Sequence, residues 1–266
     1  MLSKRVKALE VPLKMGGKFG APEKLIVNGK RLDGRKFDEF RPTVIKAGVV
    51  QNADGSAMII QGETKITVAV YGPREVFPKH LTDAAKAYLS CKYDMAAFST
   101  PERSRPGASR RSTEISKIMR DALAPAIFLE KYPKTKIDVY AEVTNANAGT
   151  RCAAITAAAV ALADAGIEMR DLVVAIASGK ADGKVILDMN EPEDNYGEAD
   201  MPMAIMPRTG EITLLQMDGE LTKEEVQKMI EQNIVASREI YELQKKALQD
   251  KYSAEKSMHM GDEQNG

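Results

Sequence analysis

Asp194 and Asp200, in the run Glu193-Asp-Asn-Tyr-Gly-Glu-Ala-Asp-Met201, are the acids best placed to act together. Two carboxylates turned toward one point can hold Mg²⁺ with waters, or one of them can give a proton to a leaving oxygen. Asp188, on the preceding strand-like run, can stand in for either. The plain alternative is a solvated acidic loop. A second group, Gly149-Thr150-Arg151, sits where a strand-like run turns into a helix. Glycine permits a tight turn, the first helix amides point outward unpaired, and the helix dipole favours an anion. The Thr150 hydroxyl and Arg151 guanidinium add donors suited to phosphate oxygens, although an ordinary turn with a surface arginine would look the same. A third group is Ser109-Arg110-Arg111. Adjacent arginines point in different directions, so one can clamp a nucleic-acid phosphate while the other fixes the loop. Arg74, near Lys79 and His80, extends this basic track.

The elements that must position these residues read clearly in places. Thr43–Val50 and Ala57–Ile60 flank a turn at Asn52-Ala-Asp-Gly55, and Lys65–Tyr71 follows, which predicts an antiparallel meander. Ile115, Ile118, Met119, Ala122, Leu123, Ala126 and Ile127 repeat at helical spacing and predict a helix over 112–131, capped by Ser109 or Ser112. Lys136–Val143 reads as a strand, and Thr150–Ala165 as an alanine-rich helix that Gly166 ends. So much alanine implies close packing. Hairpins follow at Leu172–Ser178 with Lys184–Met189, and at Met203–Pro207 with Glu211–Met217. The two acids of the first group fall in the connection between these hairpins. An amphipathic helix covers Thr222–Leu248. The order predicts an α+β fold of mixed sheets packed against helices, in two similar halves. It divides into a loose basic lead-in at 1–30, a catalytic domain at 31–249 and a polar, disordered tail at 250–266.

Charge is balanced overall, with 38 bases against 38 acids, which argues against a simple cationic nucleic-acid binder. Its distribution is uneven. Residues 188–200 carry six acids and no base, whereas residues 101–120 carry six bases and two acids. Such segregation suits a site holding a polyanion beside a metal ion, and equally two solvated faces of opposite sign. No stretch reaches the ~18 apolar residues of a membrane span, and no apolar run follows the basic N-terminus as a secretory signal requires. Cys91 and Cys152 lie far apart in no metal-binding spacing, so a reduced, cytoplasmic setting is expected. No Gly-rich nucleotide loop or serine-nucleophile motif competes with the three groups.

Taken in order, the motifs resemble the RNase PH family. Arg31-Leu-Asp-Gly-Arg35, Phe40-Arg-Pro42, Asp54-Gly-Ser56, Gly62-Glu-Thr-Lys65, Val70-Tyr-Gly-Pro-Arg74, Asn147-Ala-Gly-Thr-Arg151 and Glu193–Met201 cover about 31–248. The paired arginines are similar to those of the catalytic exosome subunits of archaea rather than to bacterial RNase PH, which has Gly-Arg-Thr at that place. The resemblance implies the RNase PH-like fold, also known as ribosomal protein S5 domain 2-like. It implies a phosphate-dependent 3′-to-5′ exoribonuclease that releases nucleoside 5′-diphosphates and can add tails in reverse. Inorganic phosphate would sit at Gly149, Thr150 and Arg151, and RNA at Arg110, Arg111 and Arg74. Asp194 and Asp200 would carry catalysis and Mg²⁺, with Asp200 preferred as the acid. The implied partners are single-stranded RNA 3′ ends, an inactive paralogue in a hexameric ring of three heterodimers, and RNA-binding cap proteins. The competing readings are a non-catalytic RNA-binding ring subunit and a homohexameric tRNA-trimming enzyme.

Overall fold

The computed structural model describes residues 22, 24–101, 105 and 107–262, with 254–262 given by backbone alone. A short hairpin comes first, β1 (Ile26–Val27) with β2 (Lys30–Arg31), turned by Asn28-Gly29. The first large sheet contains β3 (Thr43–Ala47), β4 (Gly55–Gln61), β5 (Thr64–Glu75), β6 (Tyr88–Met95) and β7 (Thr135–Asn145). Their spatial order is β3-β4-β5-β7-β6. All neighbours are antiparallel except β6 and β7, which run parallel because α1 (Arg110–Leu123) crosses between them. Next comes α2 (Thr150–Asp164). The second sheet holds β8 (Val174–Ala181), β9 (Lys184–Leu187), β10 (Ala199–Met206) and β11 (Glu211–Leu215), in the order β11-β10-β8-β9. A short α3 (Glu191–Tyr196) links β9 to β10, and β12 (Asp218–Gly219) pairs with the start of β10. The last element is α4 (Lys223–Asp262).

The core is organised around α2, which packs on β4 and β5 of one sheet and on β8 of the other. Every α2 residue except Arg151 and Ala163 is buried. A helix enclosed on all sides needs small side chains where backbones approach, and six buried alanines between 153 and 161 supply them. The approach is closest at Gly55, where a Cβ would lie 2.2 Å from the Ala165 nitrogen and 2.4 Å from the Ala161 carbonyl oxygen. At the same end Asp164 fastens α2 to its neighbours. One carboxylate oxygen accepts from the Ser56 amide (2.9 Å) and the other from Lys251 Nζ (2.7 Å).

Several boundaries differ from the sequence reading. The helix expected over 112–131 stops at Leu123, because Pro125 has no amide to offer and the chain tightens into a 3₁₀ turn at Ala124–Ala126. β6 was not anticipated. Within the lead-in expected at 1–30, residues 26–30 belong to the first hairpin, while 1–21 lie outside the described residues. The tail expected to be disordered from 250 instead continues α4 to Asp262. Lys251 on Asp164, with the Tyr252 hydroxyl reaching the Asp164 carbonyl (3.4 Å), holds the start of that extension against the core. No described helix is long and apolar enough to cross a membrane.

Because β4 and α2 meet backbone to backbone at Gly55, even one added methyl should force them apart. Gly55→Ala is expected to cost about 1–3 kcal/mol, the usual range for overpacking, in chemical denaturation followed by circular dichroism. Unchanged stability would show that this contact yields freely.

Candidate active site

The chain arrives at α2 through two successive left-handed residues, Ala148 (φ 54°) and Gly149 (φ 64°). Left-handed alanine is costly, and such strain persists only where surrounding contacts determine it. Here Asn147 supplies them. Its amide donates to Thr64 Oγ1 (3.0 Å), its carbonyl accepts from the same hydroxyl (3.1 Å) and from Arg41 Nη1, and its side chain accepts from the Glu191 amide (3.0 Å). A Cβ on Gly149 would stand 2.8 Å from Arg41 Nη2, so that guanidinium leaves no room for a side chain. The turn therefore delivers the amino end of α2, with its unpaired amides, to a fixed place.

Arg41 is fixed in turn by Asp188. The Asp188 carboxylate accepts from Arg41 Nε (2.9 Å), Arg41 Nη2 (2.7 Å) and the Arg41 amide (2.8 Å). The sequence left Asp188 as a possible catalytic substitute. The structure commits it to Arg41, in a left-handed conformation (φ 50°) and 3% exposed. One turn of chain later, Glu193 pairs with Arg31, both side chains fully buried. Arg31 also donates to the Leu187 carbonyl (2.6 Å) and the Asp188 carbonyl (2.8 Å), and Arg35 donates to the latter as well (2.9 Å). Asn190 caps α3 in a reciprocal box with Glu193. The acidic stretch is thus a braced helix and not a loose loop, and Asp200 stands on β10.

These constraints open onto one cavity of about 330 Å³. Gly149, Thr150, Arg151, Asp194, Asp200 and Arg111 all line it, together with Glu114 and Asp188. Ser109 is the N-cap of α1, accepting from the Ser112 amide, which sets Arg111 at the rim. Arg110 is exposed beside it at the first position of α1. Arg74 is not brought to this place. It pairs with Lys136 at the far end of β7, nine residues and about 30 Å from Asn145, where it stacks on Tyr71 and bonds Asp54. A larger cavity of about 810 Å³ lies between Lys36–Phe40 and α4; Asp38, Glu39, Glu231 and Glu239 line it with Lys36 as their one cation, a balance of charge that repels an anionic substrate.

The electrostatics of the cavity are unsettled by design of the fold. Burial pushes the Asp200 carboxyl up to about 6, and the neighbouring Asp194 charge adds to the shift. Burial also raises Asp194, while Arg111, Arg151 and Arg41 pull it back. Asp200 Oδ1 and Arg151 Nε are both buried with no hydrogen-bond partner among the described residues. An unmatched acceptor and an unmatched donor in one cavity suit a ligand carrying both a cation and a phosphate oxygen. Thr150 and Arg151 have side-chain tethers: the buried Tyr93 hydroxyl donates to Thr150 Oγ1 (2.9 Å), and Arg151 Nη1 donates to Gln216 Oε1 (2.6 Å).

Comparison with known proteins gives the family of the chain. The model of 3′ exoribonuclease family domain 1 matches residues 39–168, and that of domain 2 matches residues 171–233. The chain belongs to the RNase PH family. It is 57% identical over 225 residues to the exosome complex component Rrp41 of Pyrococcus furiosus, covering 85% of this chain and 90% of that one. It is 55% identical over 235 residues to its counterpart in Methanopyrus kandleri, covering 88% and 98%. Among solved structures, Rrp46 of rice (Oryza sativa) aligns with a TM-score of 0.72 at 26% identity, over 81% of this chain and 98% of that one. A chain of the Archaeoglobus fulgidus exosome with RNA bound to the active site aligns with a TM-score of 0.72 at 21% identity, over 81% and 92%, a likeness of fold.

In this RNase PH chain the residues that sequence reasoning missed are those behind the cavity: Tyr93, Gln216, and the Arg41–Asp188 and Arg31–Glu193 pairs. The arginines were visible as motif letters, but nothing local to them names a partner about 150 residues away.

The raised Asp200 carboxyl makes a stability prediction. The folded state binds this proton more tightly than the unfolded chain, whose carboxyl titrates near 3.8. Below pH 4 both states are protonated and there is no penalty; as pH rises through 4 to 6 the folded state loses stability, and above 6 the loss is complete. In buffer free of phosphate and divalent cations, Asp200→Asn should therefore be the more stable protein at pH 8, by up to about 3 kcal/mol. The advantage should vanish near pH 4. Equal denaturation midpoints at pH 8 would mean that Asp200 carries no buried charge.

Proposed function

We propose that this chain is the phosphorolytic 3′-to-5′ exoribonuclease subunit of an exosome, releasing nucleoside 5′-diphosphates from RNA 3′ ends. The observation that carries the reading is the convergence, in one cavity, of a helix amino end bearing Thr150 and Arg151 with the Asp194–Asp200 pair and Arg111. Phosphate bound at the α2 terminus attacks the last phosphodiester in line. The new bond joins the two phosphorus centres through oxygen, and the bond to the 3′ oxygen of the shortened RNA breaks. Asp200, whose carboxyl burial raises to about 6, gives that oxygen its proton and regains one from the incoming phosphate. Arg111 at the rim, with exposed Arg110 beside it, holds the RNA backbone. Both reactants are anions, so the helix amides and guanidiniums offset their repulsion. Excess diphosphate would drive the same steps backward and lengthen the strand.

The donor set suits Mg²⁺. Asp194 would hold it through its carboxylate, with waters completing the shell, while Asp200 beside it keeps the proton; the described residues contain no group of three or more His, Cys, Asp or Glu side chains that would build an all-protein site. When bound, the ion would supply positive charge that offsets the repulsion between the two anionic reactants. Exosome complex components among the relatives support assembly with other subunits. The arrangement we favour is a hexameric ring of three heterodimers with an inactive paralogue, under RNA-binding cap proteins.

With end-labelled RNA, the chain assembled with its paralogue should release diphosphates only when phosphate is present; loss of RNA in water alone, or none at all, would refute the reading. Asp200→Ala should reduce turnover at least about 100-fold, as loss of a general acid does, with RNA binding retained. Arg110→Ala with Arg111→Ala should lower the slope of log affinity against log salt by about 0.7 for each lost phosphate contact. An unchanged slope would place the strand elsewhere.

A further inference from the structure

Resting on the reading above, we propose that Tyr93 and Gln216 are positioning residues for inorganic phosphate, each aiming one phosphate donor, and that the Gln216 amide does so without cancelling the charge of Arg151. Tyr93 lies on β6 and is 1% exposed. Its hydroxyl donates to Thr150 Oγ1, which commits a lone pair of that oxygen and leaves the threonine proton to point into the cavity. Gln216 follows β11, fixed by its own amide donating to the Pro202 carbonyl (3.0 Å). Its side-chain carbonyl takes one proton of Arg151 Nη1, and the buried Nε proton remains unmatched.

The choice of partners is chemically specific. Arg31 and Arg41, which face no ligand, are held by Glu193 and Asp188. Arg151, which faces the cavity, is held by an amide. A carboxylate at 216 would orient the guanidinium equally well, but its negative charge would repel phosphate and neutralise the cation meant to attract it. Tyr93 and Gln216 come from different sheets, so each half of the fold contributes one tether to adjacent residues of α2.

The test uses the assembled complex, with KM for phosphate, KM for RNA and kcat at saturating phosphate measured for Tyr93→Phe, Gln216→Glu and Gln216→Met. Tyr93→Phe preserves the packing and should raise the phosphate KM about 2- to 10-fold, the usual worth of one neutral hydrogen bond, with the RNA KM unmoved. Gln216→Met removes the acceptor and should do the same. Gln216→Glu should be worse than Gln216→Met, by about 10-fold in phosphate KM, and should lose that excess at low pH as the carboxyl protonates. If glutamate at 216 matches the wild type, or if phosphate KM stays unchanged in all three variants, the positioning role is wrong. Diphosphate release by the wild-type complex is the separate control: its absence would overturn the proposed function, not this assignment alone.

Discussion

The site depends on the buried ion pairs that tie residues 31–41 to residues 188–193. Arg31 and Glu193 are both fully enclosed, and Arg41 and Asp188 nearly so. Burying such charges is costly, and only complete pairing offsets the loss of water; removing one partner of a buried pair commonly costs about 3–5 kcal/mol. The pairing here is close to complete, with guanidinium protons used on carboxylates and on the Leu187, Asp188 and Asn147 carbonyls. A hydrophobic contact could join the same segments more cheaply, but it would tolerate sliding. Bidentate pairs fix direction as well as distance. That directional hold places the turn before α2 and the start of α3 in one frame, and every group lining the cavity except Arg111 and Glu114, which α1 carries, hangs from one of those two elements or from the strands beside them.

The alanine-rich α2 answers a second requirement. A phosphate site at a helix terminus needs the helix held immobile between two sheets, yet the terminus itself must stay open. Small side chains let the sheets close on the body of α2, as the Gly55 approach shows, while Ala148 and Gly149 turn its first residues out toward the cavity. Strain at Ala148 is affordable because Asn147 is bonded by both main-chain groups and by its side chain. Rigidity and access are therefore supplied by different residues of the same few turns.

What the sequence disclosed follows from the range of the forces involved. Periodicity and turn chemistry are local, and they located α2, β4, β5 and the later hairpins with errors of a few residues, whereas α1 ends eight residues before the expected 131. β6 had a readable alternation, with Leu89, Cys91, Tyr93 and Met95 on one face, but it is a parallel edge strand without a hairpin turn to announce it. The cavity-lining residues Thr150, Arg151, Asp194 and Asp200 stood out in the sequence because their types carry chemistry. The groups behind them were not, because Tyr93 reaches Thr150 across 57 positions, and Gln216 reaches Arg151 across 65. Arg74 stands apart for the same reason: a cation near other cations in sequence need not line the same cavity in the fold.

The charges of the cavity show why the frame must be so strongly built. Asp194 and Asp200 repel one another in a partly dry site, and Arg111 and Arg151 face the same space with no carboxylate ion pair of their own among the described residues. Left to relax, these groups would pair with one another or turn to solvent, and the site would neutralise itself. Arg151 is kept from that by an amide, and the neighbouring Thr150 is held by a phenol that burial keeps protonated. The carboxylates are kept from it by α3, capped and bolted through Glu193, and by the ladder of β10. Unspent charge of both signs is what two anionic reactants and a proton transfer require, and it survives only because the buried pairs behind it have already satisfied their own.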